Sequence, residues 1–218
     1  MPAVPRGRRA ERRRRFGQNF LRPDLGETLV AGCDFHPGDR VVEIGAGAGA
    51  LTLPLARRAL EVTALERDPE WAAKLRSRLS GAGGRVRVVE ADFLGWRLPT
   101  QPFRVISSIP FGVTTEIFRR LFDDPALPLV RADLVVQWEV ALKRTESPPA
   151  TLLSTAWAPW WEFRLRERLP AWAFKPVPRV DAGLVTVTRR DPALLPVEAG
   201  RAYGAFLRSQ WPFRARTD

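Results

Sequence analysis

Cysteine and histidine are almost missing from this 218-residue chain, in which Cys33 and His36 are the only examples. A single thiol excludes an intramolecular disulfide, which fits a reducing compartment such as the cytoplasm. One thiol and one imidazole cannot assemble a zinc ligand set, so no metal is expected and neither residue is assigned a role. Long apolar runs are missing too. No stretch approaches the roughly 18 residues that a membrane span needs. The N-terminus is arginine-rich with no apolar segment behind it, which reads against a secretory signal. Lysine is scarce, with only Lys74, Lys143 and Lys175 among 35 basic residues.

The hydrophobic share of 45% and eight tryptophans argue for a packed core and against a disordered chain. The net charge is +11. A positive field of that size favours polyanions, of which nucleic acid is the commonest inside a cell. Coding bias accounts for arginine in place of lysine, but not for a surplus of base over acid.

The organising stretch is Val41-Val42-Glu43-Ile44-Gly45-Ala46-Gly47-Ala48-Gly49-Ala50-Leu51-Thr52. Its apolar start predicts a buried parallel strand, and Leu51 to Arg58 predicts a helix behind three alternate glycines. Glycines at such a junction let the backbone turn tightly and let a ligand approach without a Cβ in the way. The next strand, Glu61 to Leu65, ends at Glu66, about 20 residues on, where a carboxylate can accept from both hydroxyls of a ribose. Alone, this pattern fits either a nucleoside-type cofactor or an ordinary strand-to-helix turn with helix-packing glycines.

Residues 1–15 carry Arg6, Arg8, Arg9, Arg12, Arg13, Arg14 and Arg15, a block that repels itself until phosphates neutralise it. It fits a solvated tail or an RNA-contacting arm. Composition makes a loop of the following Phe16 to Leu21 and a helix of Asp24 to Ala31. Past Glu66 the spacing predicts a helix over 69–79, a break at Gly81 to Gly84 and a strand over 86–89. Asp92, just beyond that strand, lies on the ligand edge of an open α/β sheet and suits either an adenine amine or a turn. Strands are further expected at 103–107 and 134–138, with helices at 115–122 and 139–144 and a surface loop at 145–150. Residues 160–169 and 182–188 alternate like two antiparallel strands. Between them, 174–181 is too rich in proline for strand or helix, and a last helix is expected within 200–210. Strands alternating with helices before a late hairpin predict an α/β fold with a doubly wound, mostly parallel sheet.

The fourth strand runs into Ser108-Ile109-Pro110-Phe111. Pro110 lacks an N–H and restricts Ile109, so nearby carbonyls can point at a ligand. That suits an exocyclic amine, which offers two N–H donors. Acceptors there favour the pyramidal geometry that frees the nitrogen lone pair, and no strong base is needed because alkylation itself acidifies the N–H. Phe111 can stack on a base swung out of its helix. A plain turn with a core phenylalanine is the alternative.

In their order these motifs resemble the rRNA adenine N6-methyltransferase family. The resemblance covers roughly Phe16 to Arg190. It rests on Phe-Gly-Gln-Asn-Phe-Leu (16–21), Glu-Ile-Gly-Ala-Gly-Ala-Gly (43–49), Glu66, Ala-Asp-Phe-Leu (91–94), Ser-Ile-Pro-Phe (108–111) and Phe-Lys-Pro-Val-Pro-Arg-Val-Asp (174–181). The stretch Gln137 to Thr145, the front arm and the 174–178 element resemble the erythromycin-resistance (Erm) type. That branch methylates an adenine of large-subunit (23S) rRNA and blocks macrolide, lincosamide and streptogramin B binding; the other branch dimethylates small-subunit rRNA during ribosome maturation.

The resemblance implies a Rossmann-like class I methyltransferase domain with a seven-stranded sheet over 16–190, between a basic arm (1–15) and a short extension (191–218). It implies S-adenosylmethionine as cofactor and a cytoplasmic monomer acting on 23S rRNA before the subunit is fully assembled. By position, Gln18, Asn19, Leu21, Gly45, Gly47 and Ser108 would surround the cofactor, with Glu66 at its ribose and Asp92 at its adenine amine. Ser108 and the Ile109 carbonyl would meet the target amine at the cofactor, Pro110 would shape the turn, and Phe111 and Phe174 would sandwich the base. Arg8, Arg9, Arg12, Arg13, Arg14 and Arg15 would contact RNA.

Two features depart from the family. Asparagine is commoner at the Ser108 position, which bears on efficiency and on a second methylation. A helical C-terminal RNA-binding domain is also usual, whereas 28 residues follow Arg190 here, as in a naturally short member or a truncated one; the basic arm would then take a larger share of RNA binding. Two rivals stay open: a DNA amino-methyltransferase, for whose target-recognition region there is little room, and a non-enzymatic RNA-binding protein on the same fold. A dinucleotide oxidoreductase fits least, because Gly45, Gly47 and Gly49 are spaced more tightly than Gly-x-Gly-x-x-Gly.

Overall fold

The computed structural model describes residues 19–58, 60–80 and 85–214. The arginine arm, Gln18 and the glycine break at 81–84 lie outside the described residues. The strands are β1 (Phe20–Leu21), β2 (Arg40–Ile44), β3 (Glu61–Glu66), β4 (Val86–Glu90), β5 (Phe103–Ser108), β6 (Leu129–Gln137), β7 (Trp161–Leu169), β8 (Phe174–Lys175) and β9 (Ala182–Arg189). The α-helices are α1 (Pro23–Gly32), α2 (Thr52–Ala56), α3 (Pro69–Leu79), α4 (Thr114–Phe122), α5 (Trp138–Thr145), α6 (Leu152–Trp157) and α7 (Gly200–Arg214).

Seven of these strands form one sheet in the order β4-β3-β2-β5-β6-β9-β7. From β4 to β6 all neighbours are parallel, and β9 runs antiparallel to both β6 and β7. The doubly wound sheet with its late antiparallel pair is thus the architecture expected from the alternation of elements. Strand periodicity explains why both faces are covered. Val42, Ile44, Val105, Leu134 and Val136 face one buried cluster with α4 and the tryptophans. Their alternates Val41, Ile106 and Val135 face a second cluster under α1 and α2. On the first face Phe118, Phe122, Trp157, Trp161 and Phe163 interlock, with Phe122 edge-on to Trp161 at 5.3 Å and to Phe163 at 5.2 Å. Each of the four fully buried rings, Phe118, Phe122, Trp157 and Trp161, contributes roughly 1.5–3 kcal/mol of transfer free energy.

Local rules set several boundaries. The α3 helix starts at Pro69 because Asp68 caps it, accepting from the Glu70 and Trp71 N–H groups at 3.0 and 3.4 Å. Elsewhere tertiary pairing overrides the local reading. β6 begins at Leu129, five residues before the expected start, because Arg131 and Asp133 break the apolar run yet lie inside the strand. Asp133 takes two bonds of 2.9 Å from Arg131 and one of 2.6 Å from Thr186 on β9, so its buried charge is paired. α2 is shorter than the expected 51–58, and α6 follows the 145–150 loop where no helix was expected, capped by Thr151 accepting from the Ser154 N–H. Phe20 and Leu21, expected in a loop, pair antiparallel with Lys175 and Phe174, expected in neither strand nor helix. The pairing is non-local, so neither segment shows it alone. In the C-terminal segment α7 rests against α6, with Leu207 buried and Tyr203 edge-on to Trp160 at 5.9 Å.

Gly26 sets how closely α1 approaches the glycine loop. A Cβ there would collide with the main-chain carbonyl of Ala50. Helix propensity alone favours alanine by about 1 kcal/mol, but a backbone carbonyl cannot rotate away as a side chain can. Gly26→Ala is therefore expected to lower stability by about 1–3 kcal/mol in urea unfolding; a gain in stability would refute the close approach.

Candidate functional site

The strand order reverses between β2 and β5, and open parallel sheets bind ligands at the carboxyl ends of strands beside such a reversal. A cleft lies there. It is lined by Asn19 and Phe20 from the β1 side, Gly45 and Gly47 after β2, Glu66 at the end of β3, Asp92 after β4, and Ser108 to Phe111 at the end of β5. Residues far apart in the chain meet because four successive parallel strands end on the same edge.

Glu66 is the hinge of this arrangement. It is 7% exposed. One carboxylate oxygen accepts from the Gly47 N–H at 2.8 Å and the other from the Asp68 N–H at 2.8 Å. Gly47 sits at φ +51°, a left-handed conformation that turns its N–H toward the carboxylate and that other residues rarely adopt. Glu66 thus ties the glycine loop to the β3–α3 turn. Each carboxylate oxygen has a second lone pair for a ligand hydroxyl. Burial raises its pKa, and the N–H groups of Asp68 and Gly47 oppose that rise.

Asp92 is exposed at the cleft rim. Its Oδ1 accepts from the Leu94 N–H at 3.0 Å, so it has a turn role, while Oδ2 stands 3.7 Å from the Arg67 guanidinium. Leu21 is buried in the α1–α2 cluster and borders a neighbouring groove, not the cleft. At the β5 tip, the Ser107 hydroxyl donates to the Ile44 carbonyl at 2.7 Å and stitches β5 to β2. The Ile109 N–H is given to the Val135 carbonyl at 3.0 Å, and the Pro110 carbonyl accepts from the Val113 N–H at 3.1 Å. Phe111 lies at the cleft, partly buried. Phe174 stands behind it, 2% exposed, with the two rings edge to face at 6.2 Å and 70°. The structure brings the two expected aromatics together, but not as parallel plates. A base between two rings needs about 7 Å, twice the usual contact distance of about 3.5 Å, so Phe174 backs Phe111 in this geometry. The turn that presents Phe174 is closed by Asp181, which accepts from the Ala171 N–H at 2.8 Å and from Arg168 Nε at 2.9 Å.

Composition and spacing did not single out Phe20, Ser107 or the pair Glu43–Thr52. Glu43 lies in the apolar β2 strand, 2% exposed, and accepts from the Thr52 hydroxyl at 2.6 Å. Its being the lone acid in a buried strand was the available signal. Burial pushes its pKa from 4.5 up to about 8, with the nearby Glu66 charge adding to the rise and Thr52 opposing it. Cys33 is buried, and burial with the neighbouring Asp133 pushes its thiol up to about 12. Such a thiol is inert at neutral pH. Among the described residues no cluster of three potential metal ligands occurs.

The Glu43 geometry makes a pH-dependence prediction. Between pH about 4.5 and about 8 the unfolded chain has released this proton while the folded chain retains it. Stability contributed by the protonated form is complete below the lower value and is lost as pH rises through the window. Glu43→Gln keeps an acceptor for Thr52 and removes the titration. The variant should gain stability over the parent by on the order of a few kcal/mol more at pH 8 than at pH 5 in urea unfolding; an equal difference at both pH values would refute a protonated Glu43.

Comparison with known proteins matches this geometry. The ribosomal RNA adenine dimethylase family matches residues 9–217. An rRNA adenine N-6-methyltransferase of Corynebacterium diphtheriae is 37% identical over 204 residues, 94% of this chain and 79% of that protein. The mycinamicin-resistance protein MyrB of Micromonospora griseorubida is 40% identical over 188 residues, 84% of this chain and 58% of that protein, so the chain spans less than two thirds of that relative. The crystal structure of the 23S rRNA methyltransferase ErmE superposes with a TM-score of 0.78 at 35% identity, covering 87% of this chain and 78% of that one. With the glycine loop, Glu66, Asp92 and the Ser108–Phe111 tip converging on one cleft, the chain belongs to the ribosomal RNA adenine dimethylase family, within its Erm-type branch.

Proposed function

We propose that this protein transfers a methyl group from S-adenosylmethionine to the N6 amine of an adenine in 23S rRNA, and so confers macrolide, lincosamide and streptogramin B resistance. The observation that carries the reading is the convergence of Glu66, Asp92 and the β5 tip in one cleft. The choice of the large-subunit RNA is supported by the relatives, which include a 23S rRNA methyltransferase and a mycinamicin-resistance protein. The reading makes the protein one of the cytoplasm, where ribosomal RNA is made.

The cleft suits the cofactor. Gly45 is exposed with φ +71°, and a Cβ there would stand in the gap toward Pro110, 3.8 Å from its ring. Asn19 and the main chain at Gly45 and Gly47 would border the cofactor, Glu66 would accept from its ribose, and Asp92 from its adenine amine. When bound, S-adenosylmethionine supplies an electrophilic methyl group on a positively charged sulfur.

The protein's own residues then act on the adenine to be modified. Phe111 stacks on the extruded base, offsetting part of the few kcal/mol that unstacking costs. The Ser108 hydroxyl and the Ile109 carbonyl accept the N–H groups of the amine. Two acceptors on one nitrogen hold it pyramidal, with its lone pair directed along the line of attack. The proton is released from the nitrogen after alkylation, when it has become acidic, so no dedicated base is required. Phe174 keeps Phe111 in place from behind, as a positioning residue.

The defining test incubates the protein with radiolabelled S-adenosylmethionine and protein-free large- and small-subunit rRNAs, then maps a primer-extension stop. Label is expected in the large-subunit RNA at one adenine; label confined to the small-subunit RNA would overturn the reading. Ser108→Ala removes one acceptor of the tip. It is expected to lower kcat about tenfold, the worth of one hydrogen bond, with a smaller loss of cofactor affinity by calorimetry. Full kcat in this variant would leave the main chain as the sole contact.

A further inference from the structure

Phe20 has a second side. Beyond it, away from the cleft, lies a groove of about 610 Å³ between the β1–β8 pair, α1, the glycine loop with α2, and α3. Five cations border it: Arg22, Arg57, Lys74, Arg78 and Lys175, all on the exposed surface. Its acids are Glu27 and Glu70, the first paired with Arg57 and the second with Lys74. The lining therefore keeps a surplus of three positive charges. The two ion pairs join exposed side chains, and pairs of that kind are worth about 0–1 kcal/mol, so a phosphate can displace the acid in either.

The floor is aromatic. The Phe20 ring lies 4.6 Å from that of Trp71, and the Lys74 ammonium is 4.6 Å from the Trp71 centroid. The groove also abuts the glycine loop. Phe20 stands 2.8 Å from where a Cβ of Gly47 would lie, and the Arg78 guanidinium donates to the Ala48 carbonyl. Phe20 borders both groove and cleft, so the two adjoin on either side of its ring. Cations beside an aromatic floor are the chemistry that holds single-stranded nucleic acid, with phosphates on the cations and sugars and bases on the rings.

We propose that this groove holds the single-stranded RNA flank of the target adenine, with Arg57, Arg78 and Lys175 facing its phosphates. The inference rests on the reading that the protein modifies RNA, and it adds a contact surface that does not include the β5 tip. It also places RNA against the outer surface of the loop whose inner surface borders the cofactor cleft.

The test uses the whole protein and a fluorescein-labelled single-stranded oligoadenylate, with affinity followed by anisotropy across a salt series. Arg57→Gln/Lys175→Gln removes one cation from the end of α2 and one from β8. With about 0.7 of logarithmic salt slope per phosphate contact on a single strand, the slope should fall by about 1.4. The control pair Arg164→Gln/Arg166→Gln removes equal charge from β7 at the opposite edge of the sheet and should change the slope by less than half as much. Circular dichroism melting of all three proteins verifies the fold. An unchanged slope in the groove variant, or an equal loss in the β7 variant, would overturn the proposal. The outcome is separable from that of the methylation assay: label in 23S rRNA with an unaltered slope removes the groove alone, whereas a groove-dependent slope without label keeps the groove and removes methyl transfer.

Discussion

The carboxylate of Glu66 meets two backbone N–H groups from different turns, and the geometry of the cleft follows from that junction. One donor, Gly47, belongs to the loop after β2; the other, Asp68, caps α3. A buried charge is tolerated there because both oxygens are occupied by donors, each such charge-assisted bond being worth roughly 1.5–3 kcal/mol. The same carboxylate that fixes the loop keeps lone pairs free for a ligand hydroxyl. Support of the loop and the proposed ribose contact would therefore use a single set of atoms.

Around that junction the site is assembled from elements that touch only in three dimensions. The β1–β8 pair joins segments about 150 residues apart, and through it the Asn19–Leu21 stretch is set beside the turn bearing Phe174. Such a closure is entropically costly and is stabilised by burial of Leu21, Phe174 and Ala173 in the cluster under α1. The outcome is one wall with two faces, the cleft at the β5 tip on one side of Phe20 and the basic groove on the other.

Much of the frame was legible in the residues themselves. Val41–Ile44, the 69–79 helix with Pro69 near its first turn, and the alternating 160–169 and 182–188 strands follow from periodicity and proline placement, which are local rules. β6 was legible only from Leu134 onward, because Arg131 and Asp133 look like loop residues until Thr186 is placed beside them. The edge-to-face setting of Phe111 and Phe174 was equally hidden, since both were named from motifs that carry no angle between rings.

By itself the sequence determined the alternation of strands and helices, the residues at four strand ends and the family to which their order corresponds. These are readable because hydrophobic period, glycine spacing and caps act within a few residues. Only the tertiary structure decided that Phe20 divides a cleft from a groove, that Glu66 is bonded through both oxygens, and that burial behind the loop raises the Glu43 pKa. Those properties depend on burial and on contacts between distant strands, which arise when parallel strands align their ends along one edge of a closed sheet.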